Sequence, residues 1–343
     1  MYFGIELLRF VMSVTVITLH LFNWIGPPTS GLLTVTVSRN GELAVPTFWC
    51  LSGFVFYGVY GERISNQRLS LKDFALGRFT RLYPLAFTTL ILTLFLNEVY
   101  IKTNNNSFIW HRGDAYHFIL NMFMASHWGL QRFTAFNGPM WSISVELLVY
   151  FIFYGVVKNI SNSTWIAALM IVLGKILSHF EPNLTHFYSI STCIQCFFTG
   201  AIVHSLYNVI KQYKQSSINY ASTIVIACLA VTWIALPRQY AFQLVPPLYV
   251  LSFQLILRQI PDHCCTLVKT LGSVTYASYL LHYPLLLTVV MALDSLHVPR
   301  SSISTNVGIC MFLITSLVIS RFIYVIFELP VQSILRKWLL NWR

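Results

Sequence analysis

Apolar runs of about 20 residues, the length that crosses a bilayer as a helix, follow one another through the whole sequence. They lie at 4–24, 41–60, 83–100, 139–157, 164–180, 187–207, 220–236, 240–257, 272–293 and 303–327. Inside hydrocarbon every backbone N–H and C=O must be satisfied within the span or its neighbours, which leaves helices and closed barrels. A barrel strand alternates apolar and polar residues, whereas these runs are continuously apolar. Only 10% of the 343 residues are charged, against about a quarter in soluble domains. The sequence therefore predicts an all-α, polytopic membrane protein of about ten transmembrane helices, packed in one bundle and forming one domain over residues 1–343.

The polar segments between the runs set an orientation. With the N-terminus cytoplasmic, Arg63, Arg68, Lys72, Arg78, Arg81, Lys158, Lys211, Lys214, Arg258 and Lys269 fall in inner loops, and Arg336, Lys337 and Arg343 in an inner tail. The outer loops hold fewer cations: Arg39, Lys102, Arg112, Arg132, Arg238 and Arg300. Cations retained on the inner face explain the net charge of +11 by topology, with the bilayer as partner and no nucleic acid. The longest outer segment, 101–137, carries Trp110, His111 and Trp128; it reads as a connector or as a platform for an acceptor. Glu6 and Arg9 interrupt the first run and no small-residue cleavage site follows, so this run reads as a retained span and not a cleaved signal. The seven cysteines are odd in number and mostly lie inside apolar runs, which argues against a disulfide framework. Cys193 and Cys196 read as packing residues. No cluster has metal-ligand spacing, so no metal is expected.

Charged and titratable groups inside a bilayer are costly and mark functional positions. The first span carries Glu6, Arg9, Ser13 and His20 as a stripe along one face, with Arg9 and His20 about 16 Å apart along the axis. The fourth opens Asn137-Gly138-Pro139-Met140-Trp141-Ser142-Ile143-Ser144-Val145-Glu146, with Asn137 or Gly138 as cap and Pro139 in the first turn. Glu146 then falls at a depth similar to that of His20. The two can meet, the carboxylate orienting the imidazole, or Glu146 can pair with an arginine. The ninth span holds Tyr276, Ser278, Tyr279, His282 and Pro284, and the tenth ends at Glu328 near Pro330. Between the second and third spans, Ser70-Leu71-Lys72-Asp73 has capping-box form and starts a short helix. On that helix Leu71, Phe74, Ala75, Phe79 and Leu82 share an apolar face, with Arg78 on it and Arg81 at its edge. Either Arg78 points inward to hold an anion, or it snorkels along a lipid-facing side. Pro84 opens the next helix.

Taken in order, these residues resemble the acyltransferase-3 family of integral membrane O-acyltransferases. The shared patterns are Leu8-Arg9…His20, Phe48-Trp49-Cys50-Leu51-Ser52-Gly53-Phe54, Arg78-x-x-Arg81-Leu82-Tyr83-Pro84, Trp141-Ser142-x-Ser144-Val145-Glu146, Ser278-Tyr279-Leu280-Leu281-His282-x-Pro284 and Glu328-x-Pro330. They cover residues 6–330. One departure is Phe10, where the family usually has glycine. The resemblance implies transfer of an acyl group, most often acetyl, from cytosolic acetyl-CoA or another acyl-CoA to a hydroxyl of a sugar acceptor, free or lipid-linked. It is closest in kind to stand-alone bacterial enzymes of the cytoplasmic (inner) membrane that modify lipopolysaccharide O-antigen or exopolysaccharide. It implies Arg78, Arg81 and Arg9 for the coenzyme A phosphates, and His20 with Glu146 for catalysis. His20 acts either as general base or as a transient acyl carrier. Trp141, Ser142, Tyr279 and His282 are candidates for the acceptor or the oxyanion. Peptidoglycan or a secondary metabolite is an alternative acceptor. A glycan or lipid transporter is a rival reading, against which stands the absence of an inverted repeat.

Overall fold

The computed structural model describes residues 2–28, 32–105, 107–108, 113–131, 134–180, 190–235, 238–259 and 262–340. Among these residues there are helices and no strands. In chain order the helices are α1 (Phe3–Ile25), α2 (Leu32–Ser65), α3 (Leu71–Asn104), α4 (Ala115–Met122), α5 (Met140–Asn159), α6 (Thr164–Leu177), α7 (Ile190–Ile210), α8 (Gln215–Ala235), α9 (Arg238–Ile256), α10 (Asp262–Ser273), α11 (Thr275–Ser295), α12 (Asn306–Ile323) and α13 (Leu329–Leu340). Seven helical stretches are long and apolar enough to cross a membrane, and the protein is a multi-pass integral membrane protein. Of the three other expected spans, 220–236 lies in α8. The other two are short: α6 has 14 residues, a rise of only about 21 Å, and the apolar part of α9 is Tyr240–Ile256.

Two expected helix boundaries are absent. Ser70 caps α3 as its sequence predicts, its Oγ accepting from the Asp73 backbone N–H at 3.1 Å. The helix then runs unbroken through Pro84 to Asn105, whose left-handed backbone (φ 52°) ends it. Likewise, α12 continues past Glu328. A π-helical turn, Tyr324–Glu328, joins it to α13 and lets the chain pass Pro330 without a break. A proline removes one i→i−4 hydrogen bond, and in a membrane that loss is absorbed by neighbours or by a local π adjustment instead of ending the helix.

The helices group into two compact units, each drawn from three separate stretches of chain. One comprises Met1–Met12, Glu42–Leu69 and Leu148–Ser273; the other comprises Ser13–Gly41, Ser70–Leu147 and Val274–Arg343. In the first unit α2 and α7 approach backbone to backbone. A methyl group on Gly53 would overlap the Phe197 carbonyl, and one on Gly200 the Cys50 carbonyl. Such glycine contacts are how helices pack in lipid, where dispersion and not water exclusion holds them together. Cys50, Cys193 and Cys196 are buried free thiols in this unit.

In the second unit α3 and α11 run parallel. Tyr276 donates its hydroxyl to the Leu82 carbonyl, and Tyr100 donates to Asp294 Oδ2 at 2.9 Å. Both pairs have the same offset between the helices, so one register holds over about 27 Å of axis. The Asp294 end is closed by Arg300, which donates to Asp294 from Nε at 3.0 Å and Nη2 at 2.7 Å. Arg300 also lies over the Trp24 ring, itself stacked on Phe108 at 3.9 Å.

The apolar face of α3 is split between core and surface. Phe74 is buried, but Leu71 and Phe79 are exposed. Phe79, Tyr83 and Phe87 stack one turn apart, at 4.6 and 5.8 Å, and form an outward aromatic ridge. Lipid accepts an apolar side chain as readily as a core does, so apolarity alone does not mark the packed face.

Candidate active site

The site lies in the second unit, where α11 packs beside the later part of α1. Ser278 and His282 are four residues apart on α11 and therefore on one face. Ser13 and His20 are seven apart on α1, two turns along it. The two helices meet at both levels. Ser13 Oγ is 2.8 Å from Ser278 Oγ, and His20 Nδ1 is 2.7 Å from His282 Nε2. The two imidazoles are stacked, with centroids 5.0 Å apart and planes 14° apart. His282 Nδ1 lies 3.1 Å from the Ser278 carbonyl oxygen. Ser13, Ser278 and His282 are all fully buried at 0% exposure, while His20 is half-buried. Tyr283 meets the His20 ring edge-on at 6.3 Å.

The loop before α5 reaches this site through Asn137. Its side-chain amide donates to the Leu280 carbonyl at 3.1 Å, so Asn137 supports α11 instead of capping α5 with its side chain. From there α5 runs antiparallel to α11. Gly138 sits against Tyr283, and Ser142 Oγ lies 2.7 Å from Tyr279 Oη. Trp141 faces the ring of His127 at 5.7 Å.

That register carries Glu146 away from His20. Glu146 lies within electrostatic reach of Tyr276, together with Glu328 and Arg81. Tyr276 is six residues before His282, about 9 Å lower on α11. The His20 ring is held by His282. Matched depth from the two helix ends suggested the His20–Glu146 pair, but lateral packing decides the partner, and depth carries no information about it.

Arg81 is exposed, while Arg78 is half-buried with its Nε sealed from solvent. Near them Glu328, 6% exposed, sits at the end of the π-turn. Arg9 belongs to the other unit, where it pairs with Glu6 at 3.6 Å, and Glu6 packs onto Gly272. The structure therefore brings together His20, His282 and Tyr279 with Ser142. It gathers Arg81, Glu146 and Glu328 around Tyr276. Trp110 and His111 lie outside the described residues.

The sequence did not single out His127, Asn137 as a support for α11, or the Ser278 carbonyl. The spacing of Ser278 to His282, set beside that of Ser13 to His20, was the available signal for two matching polar faces. His127 lies between α4 and α5, outside the spans, with Thr134 Oγ1 3.2 Å from its Nε2. Burial lowers its pKa to about 4.

The family model for the acyltransferase-3 acyltransferase domain matches residues 2–325. The chain belongs to the acyltransferase-3 family. It is similar to the peptidoglycan O-acetyltransferase OatA of Listeria monocytogenes serovar 1/2a, at 22% identity over 326 residues, covering 82% of this chain and 49% of that protein. It is also similar to the putative peptidoglycan O-acetyltransferase YrhL of Bacillus subtilis, at 28% identity over 162 residues, covering 43% of this chain and 22% of that protein. The chain thus spans about half the length of the first relative, and the matched part is a smaller share of the second. No solved structure matches it significantly. The matched range contains five of the six shared patterns, and Glu328-x-Pro330 lies beyond it. Of the site residues, Ser142 with Tyr279 and His20 with His282 form two hydrogen-bonded pairs, and the Tyr279 and His282 rings meet edge-on at 6.0 Å.

Proposed function

We propose that this acyltransferase moves an acetyl group from cytosolic acetyl-CoA to a hydroxyl of a cell-envelope glycan, from the bacterial cytoplasmic membrane and with its N-terminus inside. The observation that carries the reading is the state of His20. One ring nitrogen is tied to His282 at 2.7 Å, which leaves Nε2 as the nitrogen that meets substrate. An imidazole held this way, beside the tyrosines of α11 and within an otherwise apolar bundle, suits a general base acting on an alcohol.

Arg78 and Arg81 lie in the first third of α3, the helix that runs parallel to α11, at the end nearer Tyr276. They are suited to the phosphates of coenzyme A, since guanidinium forks pair with phosphate bidentately. From there the thioester arm extends along α11 toward His20, a rise of about 9 Å from Tyr276 to His282. Arg9 has Glu6 as its partner at 3.6 Å. Glu146 and Glu328 set the field around Arg81. Tyr279 and Ser142, hydrogen-bonded to each other, are a hydroxyl pair suited to the oxyanion or the acceptor.

The acceptor is a sugar hydroxyl of lipopolysaccharide O-antigen or exopolysaccharide. Peptidoglycan is the second reading, and the similarity to two proteins named as peptidoglycan O-acetyltransferases, one of them putatively, favours it. The test expresses the wild type and His20→Ala at matched membrane levels in hosts whose glycans lack O-acetyl groups. Released O-antigen and muropeptides are then weighed for added acetyl mass. Gain with the wild type alone supports the reading and names the acceptor. Gain in both overturns the role of His20. Gain in neither, with no thiol released from acetyl-CoA by the membranes, overturns acetyl transfer.

A further inference from the structure

We infer that His282 is a positioning residue that fixes the tautomer of His20, with the backbone carbonyl of Ser278 as the anchor of the relay. The inference rests on the acyl-transfer reading for its consequence, but not for its geometry.

The assignment follows from which atoms can donate. A carbonyl oxygen only accepts, so the 3.1 Å contact between the Ser278 oxygen and His282 Nδ1 requires the proton on Nδ1. A neutral imidazole carries one N–H and one lone pair. His282 Nε2 is therefore the acceptor in the 2.7 Å contact with His20, and His20 Nδ1 is the donor. That leaves the lone pair of His20 on Nε2. An isolated imidazole favours the opposite arrangement, with the proton on Nε2, where it would block attack. The bond a histidine makes through one nitrogen sets the state of the other.

Every part of the relay is held. His282 is 0% exposed, and Ser278, also 0% exposed, is bound to Ser13 of α1 at 2.8 Å. The carbonyl is a helix carbonyl, so its position is set by α11 itself. During transfer the acceptor O–H bond breaks and its proton goes to His20 Nε2. The acceptor oxygen forms a bond to the acyl carbon, and the carbon–sulfur bond of the thioester breaks. The proton on Nε2 then passes to the departing thiolate. Between these events the imidazolium of His20 donates Nδ1–H to His282, whose own Nδ1–H points at the Ser278 carbonyl dipole. The positive charge is thereby shared along the pair without a buried anion.

The test uses full-length protein in lipid bilayers with ¹⁵N-labelled histidine, read by solid-state NMR, alongside thiol release from acetyl-CoA. Wild-type His20 is expected as the Nδ1–H tautomer. H282Q keeps an amide oxygen at the acceptor position, so the tautomer is retained and kcat stays within about tenfold of wild type. H282F keeps the ring volume but offers no acceptor. It is expected to shift His20 to Nε2–H and to lower kcat on the order of 10²-fold, with KM for acetyl-CoA unchanged. An Nε2–H tautomer in the wild type overturns the proposal whether or not any variant folds. So does H282F with wild-type tautomer and rate. An Nδ1–H wild type with no thiol release overturns the transfer reading and leaves the relay standing.

Discussion

The side-chain amide of Asn137 donates at 3.1 Å to the carbonyl of Leu280, which is the carbonyl that Pro284, four residues later, leaves without its helical donor. Proline has no N–H, so the oxygen of residue i−4 in a helix loses its partner. In a membrane no water replaces that donor, and the deficit must be met by a neighbour. Asn137, 1% exposed, meets it from the loop before α5. This single bond links the loop to the middle of α11, beside His282.

Substituting Asn137 tests this directly. Asn137→Leu removes the donor and is expected to cost about 1–3 kcal/mol, read as a lower unfolding midpoint of purified protein in detergent. Asn137→Leu with the wild-type midpoint would show that the Leu280 carbonyl is satisfied another way.

The close approach of α2 and α7 predicts a sharp contrast among glycines. Gly53→Ala and Gly200→Ala force backbone carbonyls apart and are expected to destabilise by about 1–3 kcal/mol or more. Gly155→Ala, whose new methyl meets no neighbour within 4 Å, is expected to be neutral or slightly stabilising, since alanine favours helix by about 1 kcal/mol. Equal midpoints for all three variants would contradict this packing.

His127 gives stability a pH dependence. Burial holds its folded pKa at about 4, while the unfolded chain titrates near about 6.5. The unfolded state therefore binds more protons between these values. The contribution of the neutral imidazole is complete above about pH 6.5 and is lost as pH falls toward 4, about 3 kcal/mol in all. His127→Gln is expected to flatten that limb of the profile in pH-jump unfolding. An unchanged profile would place the acid sensitivity elsewhere.

The Arg300–Asp294 fork predicts that lysine does not replace arginine. Arg300→Lys keeps the charge but loses the paired contacts at 3.0 and 2.7 Å and the seat on Trp24. A loss of about 1–2 kcal/mol is expected, measured as the unfolding midpoint. Retention of full stability would mean that charge alone closes this end of α11.

If Arg78 and Arg81 hold coenzyme A phosphates, Arg78→Gln and Arg81→Gln raise KM for acetyl-CoA by about 10–100-fold each, the worth of a charge-assisted hydrogen bond, with kcat little changed. A fall in kcat at constant KM would move both arginines from binding to chemistry.

The sequence by itself determined the all-α membrane class, the long apolar helices, the Ser70 cap and the family. These depend on hydrocarbon length, local backbone chemistry and residue order, all of which are written along one strand of text. It also determined that Ser13, His20, Ser278 and His282 are polar where polarity is costly. The tertiary structure alone decided what those residues do for one another. It gave His20 a histidine as its hydrogen-bond partner, and turned Asn137 across to α11. It carried α3 through Pro84, and set Phe79 outward while Phe74 packs inward. The reason is common to all of these. Lipid and protein core are both apolar, so periodicity cannot distinguish the packed face of a helix from its lipid face. Depth along one helix likewise says nothing of which neighbour lies beside it. Partner choice is a lateral relationship between helices far apart in the chain, and only their packing fixes it.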